Sequence, residues 1–437
     1  MEIVIVGGSF AGVTAALTAR KKFPAAMITL IDKKAELGFI PGALNLILNG
    51  KMKALQQAFF ISLAQLKEAN ITLLLNSEVM GLEVDHHHLH FRQGDQLKTL
   101  SYTKLIIASG SSQTSTKIKG MASTKIITYK SLAETKAALE LIQRSDSLTI
   151  IGGGQVGIEM ADSLVRLGKK VQLIESMAHI LAKYFDPEMV ELVVAEMGQR
   201  GVELYFDQSV QAIKEIETGL EIITQKQVFV SESAIYGINV KPNLSYLNGA
   251  VNCHGDQTIL VDEYLQTSAE DVFAIGDCIQ MPSSLANESF YVPLVNNAVR
   301  GAIVAIENLN GPHQRFIGSA RTLGTKVFGY YLASTGLTEA ESIFFDEEIA
   351  VQHVTQQPSL YQLGAEIRGK LVYNRQTGKI LGAQLVSKDN ILEKINTLAL
   401  GIQMGLTVTE LAHKDYFFHP AWTNIYDITN QLGLMKE

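Results

Sequence analysis

Two short glycine clusters, each set between an apolar run and a helix-like run, limit what this chain can fold into more than any other feature. The first is Ile3-Val4-Ile5-Val6-Gly7-Gly8-Ser9-Phe10-Ala11-Gly12. It leads into a helix-like run, Val13 to Lys22, and then into a second apolar strand, Met27 to Ile31, which ends on Asp32. This is the order of a βαβ dinucleotide-binding unit. The glycines let the backbone approach a pyrophosphate, and the helix N-terminus turns unpaired N–H groups toward its charge. The carboxylate, 20 residues past Gly12, is placed to hold ribose hydroxyls. Ser9 stands where the middle fingerprint glycine belongs, so this cluster alone is a weak signal. The second copy, LTIIGGGQVGIEMADSLVRLGKKVQLIE from Leu148, is complete: Gly152, Gly154 and Gly157 form G-x-G-x-x-G, and Glu175 ends the next strand. Two such units about 145 residues apart predict two dinucleotides and transfer between them.

A chain of 437 residues predicts two or three domains. Its apolar content of 47%, with 35 glycines and 9 prolines, suits an α/β protein with many strand-to-helix turns. The net charge of −7, with no basic run, argues against a nucleic-acid footprint or a polybasic membrane anchor. Cys253 and Cys278 form no C-x-x-C pair, which fits a reducing compartment. Glu2 sits where a signal peptide carries positive charge, and no apolar run reaches the ~20 residues of a membrane span. The expected location is cytoplasmic.

Further along, Pro41-Gly42 signals a turn and ALNLILN a short buried helix, with helical spacing continuing over 54–69. Ile71 to Leu75 and Val79 to Val84 read as strands. Asp85-His86-His87-His88 reads as a hairpin tip returning through Leu89-His90-Phe91, in preference to a metal cluster. Leu105 to Gly110 is a buried strand ending in small residues, followed by a polar connection, Ser111 to Lys119. Gly237-Ile238-Asn239-Val240-Lys241-Pro242-Asn243 marks a return, and Asp271 to Asp277 is a buried strand ending on Gly276-Asp277. Pro293 is read as the first residue of a helix reaching Asn308. From about Phe316 a third domain begins, with strands such as Lys326 to Phe328 and Lys370 to Tyr373 and helices over 389–403 and 407–412.

GGSFAG, ASGS, GGGQVGIE, GINVKPN and AIGDC occur in the order seen in pyridine nucleotide-disulfide oxidoreductases, which the chain resembles along essentially its whole length. RTLGTKVFGYYLASTG, GKLVYNRQTGKILGAQLVS, KINTLALGIQ and DYFFHPA resemble the branch of NADH oxidases, NADH peroxidases and coenzyme A-disulfide reductases. The resemblance implies an α/β fold with two Rossmann-like domains, for FAD and NAD, and an α+β C-terminal domain that forms a homodimer. The expected boundaries are 1–112 with 232–312 for FAD, 113–231 for NAD and 313–437 for dimerisation. It also implies that Gly7, Gly8, Ser9, Phe10, Ala11, Gly12 and Asp32 hold the FAD pyrophosphate and adenosine, and that Ala108, Ser109 and Gly110 lie along FAD. Gly276 and Asp277 fall near the ribityl-pyrophosphate junction, and the helix after Pro293 and Leu294 points at the flavin pyrimidine ring. Lys33, Pro41 and Val79 complete that set. Gly152, Gly153, Gly154, Gln155, Val156, Gly157, Glu175 and Gly237 should take NADH, and the Glu175 carboxylate would repel a 2′-phosphate. Glu159 matches a family glutamate close to nicotinamide and flavin.

The departures bear on chemistry. Aligned without gaps, the family's redox cysteine falls on Gly42, and no cysteine precedes Cys253. Phe10 stands where the peroxidase branch has histidine, and Gln155 where an aromatic usually covers the flavin. Loss of the thiolate removes the covalent step of peroxide, coenzyme A-disulfide and water-forming oxygen reduction. Cys278 reads as a small buried residue. His419, in Phe417-Phe418-His419-Pro420, resembles the segment that reaches the partner's flavin; it is either an acid-base group or an interface histidine. Trp422 reads as interface packing, and Arg20-Lys21-Lys22 as a basic helix end rather than a coenzyme A site. The reading is hydride transfer from NADH to FAD and on to O2, a quinone-like molecule or a redox protein, with no redox-active cysteine. The rival is a catalytically silent FAD-binding dimer that acts as a partner-binding or sensor protein.

Overall fold

The computed structural model describes every residue except 114–117, 239, 284, 286–288, 342–347, 359–363 and 435–437. Residues 114–117 of the polar connection and Asn239 of the return segment thus lie outside the described residues.

In chain order the first lobe contains β1 (Glu2–Val6), α1 (Phe10–Lys22), β2 (Met27–Ile31), α2 (Ala43–Leu48), β3 (Ile71–Leu74) and β4 (Lys104–Ile107). The second contains β5 (Ile126–Ile127), β6 (Ser147–Ile151), α3 (Gln155–Arg166), β7 (Lys170–Ile174), α4 (Pro187–Gln199), β8 (Val202–Tyr205) and β9 (Ser233–Tyr236). Then come β10 (Val272–Ala274) and α5 (Val295–Glu307).

Two parallel sheets result, with orders β10-β4-β1-β2-β3 and β8-β7-β6-β9-β5. Their central strands are mostly apolar because helices and loops cover both faces; Ile3, Ile5, Leu105, Ile106, Leu148 and Ile150 are all fully buried, and the buried Thr149 bonds Ser231. The first sheet receives its last strand, β10, only after the second sheet has been built. Ser111–Gln113 and Val240–Pro242, the two crossings between lobes, pair antiparallel with each other.

The third lobe is an antiparallel sheet of β11 (Leu323–Val327), β12 (Tyr330–Gly336), β13 (Ile349–Gln356), β14 (Ile367–Asn374) and β15 (Ile380–Ser387), followed by α6 (Leu392–Gln403). Its order is β11-β12-β15-β14-β13. Phe328 and Gly329, both at positive φ, make the two-residue turn between β11 and β12, so the strand expected to include Phe328 stops at Val327.

Three other expectations shift. The stretch 54–69 is not one helix: it holds a single turn at Leu55–Gln57 and a capped helix at Leu63–Glu68. Between them Phe59 bridges to Phe39, and the Phe60 N–H donates to the Gly38 carbonyl, pairing that would break a helix. Pro293 is not the first helical residue. A tight turn around it ties the Leu294 N–H to the Val292 carbonyl, Leu294 becomes an extended N-cap, and α5 starts at Val295. Likewise the helix expected from 389 begins at Leu392. The histidine stretch is a hairpin: His87 sits in left-handed geometry at the tip and stacks on Tyr102.

Candidate functional site

The two glycine loops repeat each other in atomic detail. Gly7 and Gly152 hold φ of +106° and +107°. A Cβ on Gly12 would lie 1.8 Å from the Gly7 carbonyl oxygen, and one on Gly157 would lie 1.9 Å from that of Gly152. These contacts seat each helix directly on the strand before it. Asp32 Oδ2 accepts the Gly8 N–H at 2.7 Å, and Glu175 Oε2 accepts the Gly153 N–H at 2.6 Å. Ser9 and Gly154 are the N-caps of α1 and α3, and neither gives a side-chain cap. The opening N–H groups of both helices are therefore left for a ligand's phosphates. This donor set fits two dinucleotides.

Around the first loop, Ala108 packs over Gly7: a Cβ on that glycine would stand 2.2 Å from the Ala108 carbonyl oxygen. Gly276, at φ +73°, brings its turn against Ala11 and so carries Asp277 to the loop. Asp277 is itself held by Lys130, 3.2 Å away, and by Ser111. Ser109 Oγ donates to the Asn243 carbonyl, and the Gly110 N–H donates to Cys278 Sγ at 3.2 Å. Burial pushes the Cys278 thiol up to about 11, which makes it a poor nucleophile. Lys33 is exposed, Pro41 precedes α2, and Val79 lies on the strand that follows the Ser77 contact with Asp32. Phe10 stacks on Phe60 with ring centroids 4.5 Å apart.

At the second loop, Glu175 is 8% exposed, and its other oxygen accepts from Ser176 Oγ and the Met177 N–H at 2.9 and 2.8 Å. Gly237 crosses beneath, close to the Ile151 carbonyl, and Val156 faces outward. Glu175→Ala is expected to weaken NADH binding about tenfold or more and to erase preference over NADPH, with flavin content unchanged; titration of the holoprotein with each nucleotide checks this.

One carboxylate ties the lobes together. Glu159 Oε1 accepts from Gln155 Nε2 at 3.0 Å and from Thr325 Oγ1 at 2.6 Å, and its Oε2 accepts from Asn45 Nδ2 at 3.3 Å. The buried Tyr129 phenol lies close enough to feel its charge. Burial first, and Glu159 second, hold that phenol protonated well above its usual range against a weaker opposing pull from Gln113. Sequence reasoning missed Asn45, Thr325, Tyr129 and Lys130. Only Asn45 carried a signal, lying three residues past Gly42 on the same short helix.

Gly42 is the exposed N-cap of α2, with φ −70°, and a Cβ there would meet nothing within 4 Å. His419 is not brought to Glu159 within one chain. It stacks on Trp422 in an exposed segment where Phe417, Trp422 and Ile425 are 76%, 73% and 79% accessible. Arg20 donates to the carbonyls of Pro24, Ala26, Ala69 and Asn70, and Lys22 pairs with Glu307, so both act as helix-end cations. Among the described residues, no helix is long and apolar enough to cross a membrane.

Two parallel sheets, each with a glycine loop and an acidic strand end bonded to it, define a two-dinucleotide oxidoreductase. The chain belongs to the pyridine nucleotide-disulphide oxidoreductase family: that family's model matches residues 1–302, and the model of its dimerisation domain matches residues 323–427. A solved pyridine nucleotide-disulfide family oxidoreductase from Enterococcus faecalis is 44% identical, with a TM-score of 0.92 over 99% of this chain and 98% of that one. The water-forming NADH oxidase of Lactobacillus brevis, solved bound to NADH, is 28% identical with a TM-score of 0.95, covering 99% and 97%. An NADH oxidase of the same Enterococcus species is 29% identical over 439 residues, covering 99% and 98%.

Proposed function

We propose that this chain is an NADH-dependent FAD oxidoreductase that delivers electrons to an acceptor without a redox-active cysteine. When bound, the two cofactors supply the redox chemistry: hydride passes from NADH to FAD, and the electrons go on to O2 to give hydrogen peroxide, to a quinone-like molecule or to a redox protein. The protein's share is placement. The α1 N-terminus and Asp32 hold one dinucleotide, and the α3 N-terminus and Glu175 hold the other. Glu159 stands between the lobes, bonded to Asn45 of the first, Gln155 of the second and Thr325 of the third. Gln155, drawn to Glu159, leaves the flavin face less covered than an aromatic would.

The proposed lobes are those read from sequence, 1–112 with 232–312, 113–231 and 313–437, except that Ser233–Tyr236, which pairs with Ser147–Ile151, goes with the second. Two copies pair through the third, where the exposed Phe417, Phe418 and Trp422 bring His419 toward the partner. The observation that carries the reading is the pair of matching glycine loops beside a glycine at position 42.

Anaerobic titration of the purified flavoprotein with NADH is expected to bleach the flavin at about one equivalent per site. Turnover in air is then expected to yield hydrogen peroxide in near-stoichiometric amount. A flavin that stays oxidised under NADH removes the enzymatic reading and favours the silent dimer.

A further inference from the structure

We propose that Thr325, supplied by the C-terminal sheet, is a positioning residue for Glu159 and so for hydride transfer between the two lobes. The inference rests on the reading of the α3 loop as the NADH site.

The inward face of β11 presents Leu323, Thr325 and Val327, which are buried, while Gly324 and Lys326 face out. Leu323 and Val327 pack into the same core as Ile158, Ala161 and Leu164 of α3. A strand position of this kind is satisfied by any β-branched side chain, and valine matches threonine in shape. The hydroxyl at 325 is thus not required for packing, and burying it without a partner would be unfavourable. Thr325 is 5% exposed, and its hydroxyl donates to Glu159 Oε1 at 2.6 Å.

The other donors differ in kind. Gln155 lies one turn before Glu159 on α3 and moves with it. Asn45 reaches from α2 at the longer distance of 3.3 Å. Thr325 is anchored in a strand paired with β12, at Leu332. It is therefore the short, rigid contact that sets the plane of the carboxylate. Each lobe supplies a donor, so the C-terminal sheet, assigned to dimerisation, also shapes the reaction site. A carboxylate turned away from its working geometry affects the transition state more than nucleotide binding.

The test uses the FAD-loaded full chain and the variants Thr325→Val and Thr325→Ser. Thr325→Val keeps the packing and removes the donor; Thr325→Ser restores it. In anaerobic stopped-flow, Thr325→Val is expected to lower the limiting rate of flavin reduction about tenfold, with the NADH dissociation constant within about twofold of the parent. Thr325→Ser is expected to recover the parent rate within about threefold. Thermal melts confirm that both variants fold.

Thr325→Val reducing its flavin at the parent rate, or Thr325→Ser failing to rescue, overturns the inference while the proposed function stands. A parent flavin that NADH does not reduce overturns both.

Discussion

Gly42→Cys is expected to gain NADH-dependent hydrogen peroxide reduction of at least about tenfold over the parent, while keeping the parent's fold. The resemblance read from the sequence puts the family's redox sulfur at position 42, and a Cβ there meets no atom within 4 Å. The backbone is ordinary helical geometry at φ −70°, so adding a side chain requires no strain. The stability change should stay below about 0.5 kcal/mol, as for other exposed substitutions. A thiol at the start of α2 would be drawn toward the thiolate and would open a sulfenate route. The measurement is NADH consumption with added peroxide under anaerobic conditions, for parent and variant side by side. A parent that already reduces peroxide at the variant's rate would show that the parent's chemistry never needed this sulfur.

Lys370→Met should destabilise the protein by about 3–5 kcal/mol. Lys370 is completely buried, with Asp186 Oδ2 at 2.8 Å, Glu339 at 2.7 Å and Glu188 also in contact. Asp186, the N-cap residue of α4, further accepts the Glu339 and Ala340 N–H groups and the Gln384 side chain. These bonds join the second lobe to the third. Methionine would leave Asp186 buried and without its cation.

The pH dependence follows from the two shifts. Burial alone would lower the Lys370 ammonium, but bonds to Asp186, Glu188 and Glu339 outweigh it and hold it above its usual range. Its contribution is full below the ordinary lysine value and fades as pH rises through the raised one. Burial alone would raise Asp186, but Lys370 first, then the Glu339 N–H and Gln384, hold it below its usual range. Its contribution is full above the ordinary aspartate value and fades as pH falls through the depressed one. The deficit of Lys370→Met should therefore be flat from about pH 5 to about pH 9.5 and shrink outside that window. Chemical denaturation of both proteins across pH checks it.

Much of the site was legible because its pattern is local. Asp32 and Glu175 were assigned from their offsets to the glycines, and both accept an N–H of the loop they were assigned to. The reading of Cys278 as a buried residue and of Arg20 and Lys22 as helix-end cations rested on neighbours within a few residues, and the structure agrees. Where local reasoning failed, backbone pairing outside the helical pattern had taken over. The helix expected across 54–69 is broken by pairing of Phe59 and Phe60 with residues 38 and 39, and α5 starts late because Val292 captures the Leu294 N–H.

The sequence by itself determined the two parallel dinucleotide units and their acidic strand ends, because each depends on residue spacing within one βαβ unit. Only the tertiary structure decided what surrounds Glu159. Its partners Asn45 and Thr325 lie 114 and 166 residues away, on a short helix of the first lobe and a strand of the third. No periodicity links such positions. They meet because the apolar faces of α2, α3 and β11 are buried in one shared core, which holds Leu44, Ile158 and Leu323 together.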